Sequence, residues 1–106
     1  MSDNPLLDTV LEMTAASVDR VDFSDEVLML VRLAALAAVD APPGSYLVNL
    51  GAAAGTALTL EDARSVLIAV APIVGGPRVV SAAGRITEAL GFAIAVDDLT
   101  TEAAQG

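Results

Sequence analysis

The chain contains no cysteine, histidine or tryptophan, and its five basic residues are all arginine. Without a thiol group it cannot form a disulfide, use a thiolate nucleophile or bind a metal through sulfur. Without an imidazole group it lacks the side chain that most often transfers protons near neutral pH. We therefore expect no peroxidase or disulfide-reductase chemistry, no metal site and no cofactor.

Positive charge is scarce. The net charge is −9, and residues 1–40 hold eight acids against two arginines. An acidic surface repels the phosphates of nucleic acids and of anionic lipids, so neither is an expected partner. The longest apolar run, residues 27–39, contains Arg32 and is too short to span a bilayer. The first residues, MSDNP, are acidic, unlike a signal peptide, so we expect a cytoplasmic protein.

Aromatic residues are also scarce at 3%, although 55% of the residues are hydrophobic. The chain of 106 residues suits one domain with a limited core, here expected over residues 1–96, followed by a flexible acidic tail, 97–106. Such a core cannot bury this much apolar side chain. We therefore expect a homo-oligomer in which copies of the chain cover the surplus.

Capping residues mark the starts of the first predicted helices. Asn4 precedes a proline and caps the first helix, and Ser24 caps the second. The second helix is apolar on every side except at Arg32, which predicts a buried, central helix. A third helix is predicted over about residues 45–54, ended by Gly55 in a left-handed conformation.

Two further helices are predicted in the second half of the chain. Thr59 and Asp62 have the spacing of a capping box before a helix over residues 60–74, which Pro72 should bend or end. The last helix is predicted over residues 77–90. The pattern therefore predicts an all-α fold, a compact bundle of about five helices.

The stretch GSYLVNLGAAAGTALTLEDARSVLIAVAPIVGGPRVVSAAGRITEALG, residues 44–91, carries a family resemblance. A helix of small residues ends at glycine, an acidic cap starts a long apolar helix, and Gly-Gly-Pro leads into an Ala-rich helix. Over residues 24–91 the chain resembles the carboxymuconolactone decarboxylase family, which includes the alkyl hydroperoxidase D-like proteins. The resemblance implies an all-α, alkyl hydroperoxidase D-like fold and assembly into trimers or hexamers.

The same resemblance shows what this chain lacks. Redox members of the family carry a glutamate, a Cys-x-x-Cys motif and a histidine. The cysteine positions fall on Asp40 and Pro43, the histidine position on Leu47, and the glutamate position near Leu28, with Glu26 two residues earlier. The resemblance therefore implies the fold and the assembly without the peroxidase reaction.

Four residues remain as candidates for a site. Arg32 either binds the carboxylate of a small ligand or forms a buried ion pair with an acid, and we favour the ion pair because buried charges are usually paired. Asp40 and Tyr46 flank the lost cysteines and could perform acid–base work, or they could be a helix-end acid and a packed ring, which we favour. Glu26 could act together with Arg32 in a catalytic site.

Three functions follow as hypotheses. The first is a non-redox family member that serves as an oligomeric scaffold or binds a small molecule. The second is a cofactor-free decarboxylase or isomerase that uses Arg32 with Asp40, Tyr46 or Glu26 on a small carboxylate. The third is an interaction module that docks through its acidic N-terminal region. Arg78 and Arg85, seven residues apart, are expected to form a solvated or intersubunit charged stripe.

Overall fold

A computed structural model describes residues 3–91, and they form an all-α bundle, as predicted. The C-terminal tail and the predicted end of the domain at residue 96 lie outside the described residues. The elements in chain order are α1 (Pro5–Arg20), α2 (Asp25–Ala38), α3 (Pro43–Leu50), a single 3-10 turn (Gly51–Ala53), α4 (Leu60–Val74) and α5 (Gly76–Leu90).

Side-chain caps start three of these helices where the sequence predicts them. The Asn4 side chain accepts a hydrogen bond from the Leu7 amide at 3.0 Å, and Ser24 accepts one from Val27 at 3.2 Å. Thr59 and Asp62 form the complete capping box, each side chain accepting from the other's amide at 3.1 Å. Each cap satisfies amides that have no partner inside the helix, which explains why local sequence locates these starts.

The third helix differs from its prediction. It begins at Pro43 rather than at residue 45, because proline at the first helical position has the required φ and loses no helical hydrogen bond. It ends at Leu50, and the chain tightens into the 3-10 turn before Gly55 adopts a φ of +82°. Helix α4 continues past Pro72 to Val74, since Pro72 is exposed in the last turn, where solvent can replace one lost hydrogen bond.

The core lies among α2, α3, α4 and α5. Its fully buried larger side chains are Leu33 of α2, Tyr46 and Leu50 of α3, Leu58 before α4, and Ile86 of α5. Alanines at the helix contacts, among them Ala37, Ala63 and Ala82, are buried as well and let the helices approach closely. Helix α2 packs against the other three, but so does α5, so these two helices share the central position.

Helix α2 is not buried on every side, which corrects the sequence-based prediction. Leu28, Met29, Leu33 and Ala37 face the core, but an outer row is exposed: Val27 and Val31 of α2, and Val39, which caps its end and is exposed by 71%. We call this row the α2 stripe. One chain of this size is too small to surround α2, so a face of this helix that is apolar in sequence stays open.

Helix α1 buries no residue at all. It meets the rest of the chain mainly at α3. Its large apolar side chains are exposed, Leu6 by 75% and Met13 by 66%. We call the whole set the α1 stripe: Leu6, Leu7, Val10, Leu11, Met13 and Val18.

Candidate binding site

Arg32 connects three helices. It leaves α2 and donates from Nη1 to the Asn49 carbonyl at 3.2 Å and from Nη2 to the Thr14 carbonyl at 3.0 Å. The Thr14 hydroxyl donates to Asn49 Oδ1 at 3.1 Å, and Asn49 Nδ2 donates to the Ser45 carbonyl at 2.9 Å. These hydrogen bonds hold the guanidinium group between α1 and the end of α3.

The expected carboxylate partner of Arg32 is absent from residues 3–91. Its hydrogen-bond acceptors there are backbone carbonyls, and the side chain is half-buried rather than buried. Asn49 lies in the last turn of α3, where carbonyls lack helical partners and carry the negative end of the helix dipole. This partial charge, together with remaining contact with solvent, replaces the predicted acid.

A cavity of about 300 Å³ lies beside Arg32, between α1, α2 and α3. We call it the Arg32 cavity. Polar groups of Thr14, Asn49 and Asp25 lie at its border, and Asp25 is exposed in the first turn of α2. Most of its wall is apolar and small: Val18, Met29, Val48, Ala52, Ala53 and Ala57.

Asp40 belongs to a second cluster, at the C-terminal end of α2. It adopts a left-handed φ of +55°, and its carboxylate accepts from the Ser81 hydroxyl at 3.0 Å and lies 3.6 Å from Arg85 Nε. Arg85 also donates to Ser81 Oγ at 3.1 Å and to the Ala41 carbonyl at 2.9 Å. Arg78 donates to the Ala38 carbonyl at 2.7 Å.

The two α5 arginines therefore have a defined intramolecular role. Arg78 donates to the last carbonyl of α2, and Arg85 donates to the Ala41 carbonyl just after it, so both place positive charge at the end where the helix dipole favours cations. Arg78 is exposed, as expected of a solvated stripe, whereas Arg85 is half-buried; both also have acceptors within the chain that were not predicted. The i, i+4 spacing of Ser81 and Arg85 was the available signal, but their partners lie about forty residues away.

Tyr46 packs in the core beside this cluster with no exposed surface. Its hydroxyl has no hydrogen-bond partner among residues 3–91. Burial raises the pKa of Tyr46 to about 12, with Arg85 lowering it and Asp40 raising it to smaller extents. A phenol that keeps its proton this firmly is a poor general acid or base near neutral pH.

The four candidate residues do not form one site. Asp40 and Tyr46 lie close enough to influence each other electrostatically. Arg32 binds α1 and α3 instead, and it lies eight residues before Asp40, roughly 12 Å along the α2 axis. Glu26 is exposed on the first turn of α2.

Sequence reasoning missed Thr14, Asn49 and Ser81. Thr14 interrupts an apolar stripe and Asn49 is the lone amide in an apolar helix, and each was a signal of a polar contact.

Comparison of the chain with family models, with curated proteins and with solved structures gives no match. Between residues 3 and 91 no cluster of three or more acidic side chains has a spacing that would hold a metal ion. None of the helices described is long and apolar enough to cross a membrane.

Proposed function

We propose that the chain is a non-redox protein of the carboxymuconolactone decarboxylase type whose function depends on self-assembly into a helical oligomer, a trimer or hexamer in the cytoplasm. The number of subunits rests on the resemblance of residues 24–91. The surfaces of contact are the α1 stripe and the α2 stripe. Neither peroxidase activity nor a cofactor is part of this proposal.

The observation that carries the proposal is the α1 stripe. A helix of sixteen residues such as α1 is only marginally stable alone in water, and packing of an apolar face normally provides its stability. Here that face is uncovered and extends over four turns. Contiguous apolar patches of this kind on soluble proteins usually mark an interaction surface.

A second copy of the chain is the occupant that fits best. The chain supplies both an uncovered amphipathic helix and an uncovered apolar row on α2, so identical copies could cover each other's surfaces in a closed assembly. A stable interface needs roughly 800 Å² per partner, which requires both stripes rather than one. Each copy carries a charge of −9, so the association should strengthen with added salt.

Multi-angle light scattering and sedimentation velocity on the full chain at micromolar concentration test the proposal. Leu6→Glu and Val31→Glu place a charge on the α1 stripe and on the α2 stripe, and both should lower the mass. Thr9→Glu adds the same charge to an exposed position of α1 outside the stripe and should not. A monomer mass for the unmodified chain would reject self-assembly, and an oligomer that both stripe variants leave intact would reject these surfaces.

The enzyme hypothesis has less support. It needs Arg32 to act with Asp40, Tyr46 or Glu26, and these side chains belong to separate surroundings in the part of the chain described above. The interaction-module hypothesis shares the α1 stripe with our proposal. It places the docking surface in the acidic N-terminal region, to which α1 belongs, and has a different protein bind there. An oligomer mass that Leu6→Glu lowers favours self-assembly through the α1 stripe over this hypothesis.

A further inference from the structure

We propose that the Arg32 cavity is a binding site for a compact, apolar monocarboxylate, whose carboxylate binds the Arg32 guanidinium group. The site lies within one chain, and Val18, which lines the cavity and belongs to the α1 stripe, is the residue that it shares with the proposed assembly surfaces. None of the positions at which the resemblance places redox residues, 28, 40, 43 and 47, lines this cavity. It is therefore distinct from the redox centre that the chain has lost.

The first argument is the charge of Arg32. A guanidinium group stays protonated in proteins and has five N–H donors. Two of the groups it contacts are neutral carbonyls, and the described chain brings no carboxylate within ion-pair distance of it. Arg32 thus presents at the cavity wall a positive charge that no acid among residues 3–91 neutralises, and donors that the two carbonyls do not use.

The second argument is that the guanidinium group is already held in place. The carbonyls of Thr14 and Asn49 accept hydrogen bonds from two of its nitrogens. These two residues are themselves fixed, because the Thr14 hydroxyl donates to the Asn49 side chain and Asn49 donates to the Ser45 carbonyl. A ligand therefore loses little affinity to the ordering of a long side chain. The planar group also matches the two oxygens of a carboxylate.

The third argument is the size and the polarity of the cavity. Its volume of about 300 Å³ is at the lower end of the range for ligand sites. An apolar cavity of about 150 Å³ is enough for benzene, so one ring or a branched chain plus a carboxylate fits. The side chains of Val18, Met29, Val48 and Ala52 offer apolar contacts to such a body.

Asp25 sets the selectivity. It borders the same cavity from α2, seven residues or roughly 10 Å along the helix from Arg32. A second carboxylate on the ligand would approach this like charge, which disfavours dicarboxylates. The site should therefore prefer a monocarboxylate to a dicarboxylate of the same ring size, and Asp25→Asn should reduce that preference.

The experiment measures binding of benzoate, benzamide and isophthalate to the full-length chain by NMR chemical-shift titration. Benzamide has the shape of benzoate without its charge, and isophthalate adds a second carboxylate. We expect benzoate to bind at least about tenfold more tightly than either, as a charge-assisted hydrogen bond provides. In the Asp25→Asn variant, the affinity for isophthalate should rise toward the affinity for benzoate.

Two variants check the location of the site. Ala52→Leu adds volume at a residue that lines the cavity and should weaken benzoate binding about tenfold or more, whereas Ala69→Leu, at an exposed position of α4 that does not line it, should not. Arg32→Gln should abolish the preference for benzoate over benzamide, with folding checked by circular dichroism. Failure of the unmodified chain to bind millimolar benzoate, equal binding of benzamide, or tighter binding of the zwitterion phenylglycine would overturn the proposal. The oligomer mass, measured on the same samples, keeps this result separate from that of self-assembly.

Discussion

Replacing Tyr46 by phenylalanine removes a hydroxyl group that the core buries without a partner among residues 3–91. Near neutral pH the change should be neutral or should raise the free energy of unfolding by up to about 1 kcal/mol, because a buried polar group without a hydrogen bond is unfavourable. The ring keeps its packing against α5, so no cavity forms.

The larger effect appears at alkaline pH. Burial raises the pKa of Tyr46 from 10.0 to about 12, so the folded chain holds the proton more tightly than the unfolded chain does. The protonated phenol therefore adds to the free energy of unfolding. This contribution is complete below about pH 10 and is lost as the pH rises toward about 12. Two pKa units correspond to about 2–3 kcal/mol, which the unmodified protein should lose over this range.

The composition makes this measurement unusually specific. Tyr46 is the only tyrosine, and the chain has no cysteine, histidine or lysine, so no other side chain titrates between about pH 8 and 12. Urea unfolding followed by far-UV circular dichroism gives stability at each pH, and ultraviolet absorbance follows ionisation of the phenol directly. Tyr46→Phe should show almost no decline of stability between pH 9 and 11, where arginine stays charged.

Three results would refute the reasoning. The first is ionisation of Tyr46 at its ordinary pKa in the folded protein. The second is the same alkaline loss of stability in Tyr46→Phe. The third is a loss well above about 1 kcal/mol near neutral pH in that variant, which would mean that the hydroxyl has a hydrogen-bond partner.

Three further predictions concern the end of α2 and the excluded chemistry. Arg85→Ala should lower the free energy of unfolding by about 1.5–3 kcal/mol, because it removes the donors to Ser81 and to the Ala41 carbonyl after α2. Arg78→Ala removes one exposed hydrogen bond and should lower it by less than about 1 kcal/mol; equal losses in urea unfolding would contradict this. Asp40→Val should lower the free energy of unfolding by about 2–3 kcal/mol more than Asp40→Asn does. A β-branched residue disfavours the left-handed φ of +55°, and valine cannot accept the Ser81 hydrogen bond. Similar melting temperatures of the two variants would argue against this. The purified protein should not consume an organic hydroperoxide in the presence of a dithiol above the rate in buffer, since it has no thiolate, and a measured turnover would disprove this.

The helices and their starts could be read from the sequence because short-range interactions decide them. The caps at Asn4, Ser24 and Thr59 each satisfy an amide three residues away, so they are visible as local patterns. Gly55 has the predicted left-handed φ, although α3 ends earlier, at Leu50. The third helix was misplaced because its start depends on Pro43, which the prediction assigned to the preceding turn.

The partners of the candidate site residues could not be predicted from the sequence, because they depend on packing between distant segments. Arg32 was singled out correctly as a charge in an apolar helix, but its acceptors lie 17 and 18 residues away on other helices. A periodic pattern tells which residues share a face but not which carbonyl or acid a neighbouring helix places opposite them. The expectation of a carboxylate partner failed for that reason, and Asp40 joined Arg85 instead.

The sequence by itself determined the all-α class, the helix caps and the exclusion of thiol and imidazole chemistry, since these follow from residue types and from contacts within one helical turn. Only the tertiary structure decided which apolar faces remain open and which polar groups meet. Helix α2 is apolar on every side except at Arg32 in sequence, yet one chain of this size covers only its inner side and leaves Val31, and Val39 just after the helix, exposed. The fold likewise brings Thr14 and Asn49 to Arg32 and thereby forms the cavity, because the relative placement of three helices is a property of the packed core.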